Sequence, residues 1–131
     1  MFPLEMELSA FRASNGEFGW TRAQIPMVVD VLRAQGIGIL GGELWWVRDG
    51  RTDWGLVPQR QGPAGVYAWE TIREPGESWS CFLERGASDT LAAAERWPKS
   101  SDLPPDLPGR ILYNLTWVSE AEFEQLGKIA P

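Results

Sequence analysis

Trp45 and Trp46 stand side by side in GGELWWVRDG, residues 41–50, directly before an Asp-Gly pair. Apolar and aromatic residues dominate this stretch, which reads as a β-strand. Successive side chains of a strand point to opposite faces, so two adjacent indoles cannot share one core. Whatever this chain folds into must cover both faces of the strand or leave one indole to a partner. Alternation groups Leu44 with Trp46, a core pair, and Glu43 with Trp45 and Val47, a mixed set. The mixed face reads equally as an amphipathic interface and as a surface covered by a helix. Asp49-Gly50, between this run and TDWGLV, is a hairpin signal.

Other segments supply elements to pack on that strand. In TRAQIPMVVDVLRAQG, Ile25, Val28, Val29 and Leu32 fall at i, i+3, i+4 and i+7, one face of a helix. Thr21 and Gln24 form a capping box, Pro26 suits an opening turn, and Gly36 is a stop. IGIL, GELWWV and TDWGLV read as strands. GVYAWETI (65–72) reads as another, after a Gly/Pro/Gln stretch at 58–64. ESWSCFLERGASDTLAAAERW reads as a second helix with Trp79, Phe82, Leu83 and Leu91 on its buried stripe. Cys81 joins that stripe as a small buried hydrophobe, and Gly86 is a weak point, costing about 1 kcal/mol relative to alanine.

The four prolines of 98–109 exclude helix and central strand, leaving a surface connection. RILYNLTWV is a last strand, and Ser119 with Glu122 caps a closing helix whose apolar side is Phe123 and Leu126. Residues 1–20 show no clean period and end in the turn-rich SNGEFGW. Short turns between consecutive strands imply antiparallel pairing. The expected fold is a single α+β domain over 1–131, one antiparallel sheet of four or five strands with about three helices packed on it.

Chemistry is narrowed mainly by missing residue types. There is no histidine, so Ser-His-Asp and Cys-His arrangements are ruled out. One cysteine makes neither an intrachain disulfide nor a thiolate metal site, and Asp49, Gly50 and Asp53 lack the spacing of a calcium loop. Gly36-Ile37-Gly38-Ile39-Leu40-Gly41 matches G-x-G-x-x-G, yet it follows a helix and leads into a strand, the reverse of a dinucleotide site. No metal, cofactor or catalytic set is expected. Eighteen acids against twelve bases give a net charge of -6, which argues against nucleic acid and suits either solubility or a basic partner. No apolar stretch reaches membrane-spanning length, and MFPLEMELSAFRAS lacks a basic start followed by an apolar run. The expected location is the cytoplasm, with no membrane partner.

The eight tryptophans and the acids near them carry what signal remains. On the strands and the hairpin, Glu43, Trp45, Asp49, Trp54, Trp69 and Glu70 are the candidate contacts, because aromatic residues with a few acids suit a protein interface. Glu43 and Glu70 also permit an alternative, a carbohydrate-binding or glycoside-cleaving domain with two carboxylates and tryptophan platforms. A scaffold role in a larger assembly is a third possibility.

GGELWWVRDG, then VYAWE, then REPGESWSCFLERG, over about residues 11–97, resembles the immunity protein 40 family of bacterial polymorphic-toxin systems. The resemblance implies a cytoplasmic protein, not an enzyme, that binds a cognate toxin domain and blocks its activity. A basic nuclease is the kind of toxin an acidic partner suits, since complementary charge speeds encounter.

Overall fold

The computed structural model of the chain describes residues 10–60 and 64–129, leaving aside the side chains of residues 100 and 127–129. Strands β1 (Phe11–Arg12) and β2 (Phe18–Trp20) lead into a 3-10 turn at Arg22–Gln24 and helix α1 (Ile25–Ala34). Next come β3 (Ile37–Arg48), β4 (Arg51–Trp54), β5 (Leu56–Val57), β6 (Gly65–Val66) and β7 (Ala68–Glu70). Helix α2 (Trp79–Arg96), a 3-10 turn at Ser100–Asp102, β8 (Arg110–Ser119) and α3 (Glu120–Ile129) complete the order. The fold is α+β, with three helices and an antiparallel main sheet in the order β1-β2-β8-β3-β4, while β7 also pairs with β3.

Several local signals formed as expected. The Thr21 N–H donates to the Gln24 side chain at 2.9 Å, and Ile25, Val28, Val29 and Leu32 are buried together. Ser119 and Glu122 cap α3 reciprocally, at 2.9 and 3.1 Å. The hairpin is two residues long, with Arg48 opposite Arg51. Asp49 and Gly50 have φ of 50° and 76°, the left-handed pair that a tight primed turn demands.

Other expectations need correction. The main sheet adds β7 to the five strands of its path, and β5 with β6 forms a separate ribbon. IGIL and GELWWV are one strand, with a bulge between Ile39 and Gly41. TDWGLV breaks at Gly55 and GVYAWETI at Tyr67, where the Tyr67 N–H donates to the Gly55 carbonyl and the Leu44 N–H to the Tyr67 carbonyl. Within the segment read as aperiodic, residues 10–20 supply β1 and β2, while 1–9 lie outside the described residues, as do 61–63 of the Gly/Pro/Gln stretch. Cys81 is exposed, one residue off the apolar stripe. On α3, Phe123 packs inward and Leu126 is exposed.

Gly86 does not divide α2. A Cβ there would meet the Ile39 carbonyl oxygen at 2.6 Å, so the glycine lets the helix lie directly on β3. The motif glycines also serve packing: Gly38 seats the rings of Trp79 and Phe82, and Gly41 admits the β7 backbone. The main core joins Trp20, Leu44, Trp46, Tyr113 and Leu115 of the sheet to α1 and α2.

Residues 71–77 are fastened to α2 by polar bonds. Thr71 donates to Asp89 at 2.7 Å, and Arg85 donates to Glu77 at 2.7 and 2.8 Å and to the Ile72 carbonyl at 2.6 Å. The Arg85 bond, helped by the Glu74 backbone, brings the Glu77 carboxyl down from 4.5 to about 2. A carboxyl with a depressed folded-state pKa contributes stability above its unfolded value and loses it on protonation. Stability therefore declines as pH falls from about 4.5 towards 2, and Arg85→Gln flattens that part of the curve. Urea midpoints of both proteins across that range check this; parallel curves would refute it.

Candidate functional site

Cross-strand pairing lays out the face of the sheet away from the main core in three rows. Leu112, Trp45 and Trp54 form the first. Gly19, Asn114, Glu43 and Ala68 form the second. Thr116, Gly41 and Glu70 form the third.

The first row answers what covers Trp45. The indole has no exposed surface, and the described residues clustered on it lie outside the helices. Ala13, Leu112 and Val47 cluster on it with Phe11 alongside, and Trp54 packs edge-on with ring centroids 4.9 Å apart. A Cβ on Gly19 would come within 3.0 Å of its ring, so that glycine makes room for the indole. Its buried N–H donates to a Glu43 carboxylate oxygen at 2.9 Å. Trp45 is thus corrected from a surface contact to a packing residue.

The second and third rows lack bulk, and a groove of about 460 Å³ opens there. Gly41, Gly42 and Ala68 leave it empty, while Glu17, Glu43, Glu70, Asn114 and Thr116 wall it. Gly41 has φ near 154°, and the Trp69 carbonyl occupies the place of a side chain, so only glycine fits. Asn114, 4% exposed, donates to the Phe18 carbonyl at 2.8 Å and so ties the groove to β2. The groove is acidic, and among the described residues no group of three or more acids or cysteines could hold a metal ion.

Of the six candidate contacts, the groove brings together Glu43, Trp69 and Glu70. Trp54 lies beside them, 40% exposed, and it is the one exposed indole among the eight. Gly55, which follows it, approaches the second Glu43 oxygen, with a Cβ there at 3.0 Å. Asp49 is exposed but sits at the hairpin tip, roughly 20 Å along β3 from Glu43 at about 3.3 Å per residue. Trp69 is turned to the helices, where its indole N–H donates to Thr90 at 3.3 Å. Asp49 is therefore not part of the groove, and Trp69 lines it with its indole N–H bonded to α2.

Sequence reasoning missed Glu17, Leu56, Val66, Asn114 and Thr116. Leu56 and Val66 are directly paired in the ribbon, 45% and 71% exposed. The alternation Val66, Ala68, Glu70 against Tyr67, Trp69, Thr71 was visible in the sequence, and the first set is the exposed one. An asparagine inside RILYNLTWV was the other available signal. Nothing local marked Glu17.

The chain matches no protein-family model, no curated protein and no solved structure. Among the described residues no helix is long and apolar enough to cross a membrane.

Proposed function

We propose that this protein is a toxin-neutralising immunity protein, similar to the immunity protein 40 family. In this reading it works in the cytoplasm, binds a cognate bacterial toxin domain and blocks its activity, with no chemistry of its own. The observation that carries the reading is the open sheet face, where an exposed indole, Trp54, stands beside carboxylates on a rigid paired scaffold. Tryptophan is enriched among interface hot spots, and a residue already held by the sheet loses little freedom on binding. A net charge of -6 suits a basic toxin domain such as a nuclease and would speed encounter.

Co-expression with a candidate toxin domain from a neighbouring gene is expected to restore growth. Trp54→Ala is expected to weaken the complex by about 2 kcal/mol, roughly 30-fold in Kd, beside the smaller stability loss, about 0.5–1.5 kcal/mol, of its edge-on contact with Trp45. Growth arrest that persists, or no complex in a pull-down, would refute the proposal. The glycoside reading draws support from Glu43 and Glu70 lining one groove. Its aromatic surface there is reduced to Trp54 and Trp69, because Trp45 is buried, and the Trp69 indole N–H is bonded to α2. Unchanged sugar-related activity in Glu43→Gln and Glu70→Gln would end it.

A further inference from the structure

The open face combines two kinds of surface that a partner must match together. Trp54 on β4 and, two residues on, Leu56 with its ribbon partner Val66 are large apolar residues left exposed, at 40%, 45% and 71%. Ala68 lines the groove, where Glu43, Glu70 and Glu17 concentrate negative charge. Three large apolar residues left in water beside carboxylates ask for an occupant of complementary composition.

Glu43 differs from an ordinary surface acid. One oxygen accepts the buried Trp45 N–H at 2.9 Å, and its residue is paired on both sides, with Ala68 and with Asn114. The side chain is thereby held at the groove wall in one orientation, and a held carboxylate pays little rotamer entropy when a cation arrives. Trp45 is a positioning residue: it touches no partner itself and acts through the acid that it holds.

We infer that the open face seats a protein segment carrying apolar side chains flanked by a cationic one, the apolar part on Trp54, Leu56 and Val66 and the cation beside Glu43. Charge complementarity selects this occupant over an acidic segment, because a carboxylate entering the groove would face three of its own sign. It also selects it over a second copy of this chain, whose net charge of -6 opposes self-association through an acidic face. The inference rests on the binding-protein reading and gives the chemistry of its partner.

The test is a titration of the full, isotope-labelled chain with a short amphipathic arginine–leucine peptide, followed by amide and indole chemical shifts at low and high salt. The same peptide with glutamate in place of arginine is the control. Shifts are expected at 42–44, 54–57 and 65–70 and at the indole N–H groups of Trp45 and Trp54. Affinity should fall about tenfold in Leu56→Ser/Val66→Ser, whose side chains are exposed, and by a similar factor in Glu43→Gln. The Glu43→Gln amide oxygen still accepts the Trp45 bond, so its loss of affinity comes without a loss of stability, which a purely structural Glu43 would not give. High salt should weaken the wild type more than Glu43→Gln.

Shifts centred elsewhere, equal affinity for the glutamate peptide, or concentration-dependent shifts without peptide, the mark of a second copy on this face, would each overturn the inference. If peptide binding maps to the face while toxin protection fails, the immunity reading falls alone. If protection survives every open-face variant, the inference falls alone.

Discussion

Replacing Trp45 by alanine lowers the unfolding free energy by about 3–5 kcal/mol, the largest loss expected from a single side chain on the open face. The indole has no exposed surface, and removing it leaves a cavity bounded by Ala13, Val47, Leu112 and Trp54. It also removes an edge-on aromatic pair, which adds about 0.5–1.5 kcal/mol beyond burial, and leaves Glu43 without its donor. Trp45→Phe should cost less, since it keeps a ring and gives up only the fused part and the hydrogen bond. Urea unfolding of the three proteins measures the series. A loss below about 1 kcal/mol for alanine would mean that the open-face cluster is not cooperative with the main core.

Gly86→Ala is expected to destabilise by about 1–3 kcal/mol, against the direction that helix propensity predicts. In an exposed helix the change would gain about 1 kcal/mol. Here the new methyl would stand 2.6 Å from the Ile39 carbonyl oxygen, and that oxygen belongs to the backbone of the central strand. Neither side can rotate away, so α2 must lift from β3. Displacement would disturb Thr90, which donates to the Gly86 carbonyl at 2.8 Å and accepts the Trp69 indole N–H. A raised urea midpoint in this variant would show that the helix has more room than its geometry indicates.

What the sequence made legible was local. The period of α1, both capping boxes and the Asp-Gly turn depend on residues within a few positions of one another, and each formed as read. The fold class followed from the order of such elements. Strands β1 and β2 escaped notice because two or three residues hold no period; β8 makes β2 a strand by pairing with Gly19 and Trp20, and β2 in turn pairs with β1. The breaks at Gly55 and Tyr67 are likewise set by contacts across the sheet.

The candidate site divided along the same line. Alternation correctly separated Trp45 from Trp46, yet it carries no information about what lies over a face. Phe11 and Ala13, far away in sequence, supply that answer for Trp45, and Thr90 supplies it for Trp69. Glu43, Trp54 and Glu70 belong together because β4 and β7 flank the same edge of β3.

Strand β8 follows every other strand in the chain and yet occupies the middle of the sheet, between β2 and β3. The Glu43–Asn114 pairing must therefore wait for nearly all of the intervening polypeptide, and its loop-closure cost falls on the folding rate. On the ribosome, β3 would emerge with both tryptophans and remain unpaired along its β8 edge until the last strand clears the exit tunnel. Synthesis of this protein thus includes an interval in which an apolar strand edge is open to wrong partners, and that interval closes only when β8 inserts.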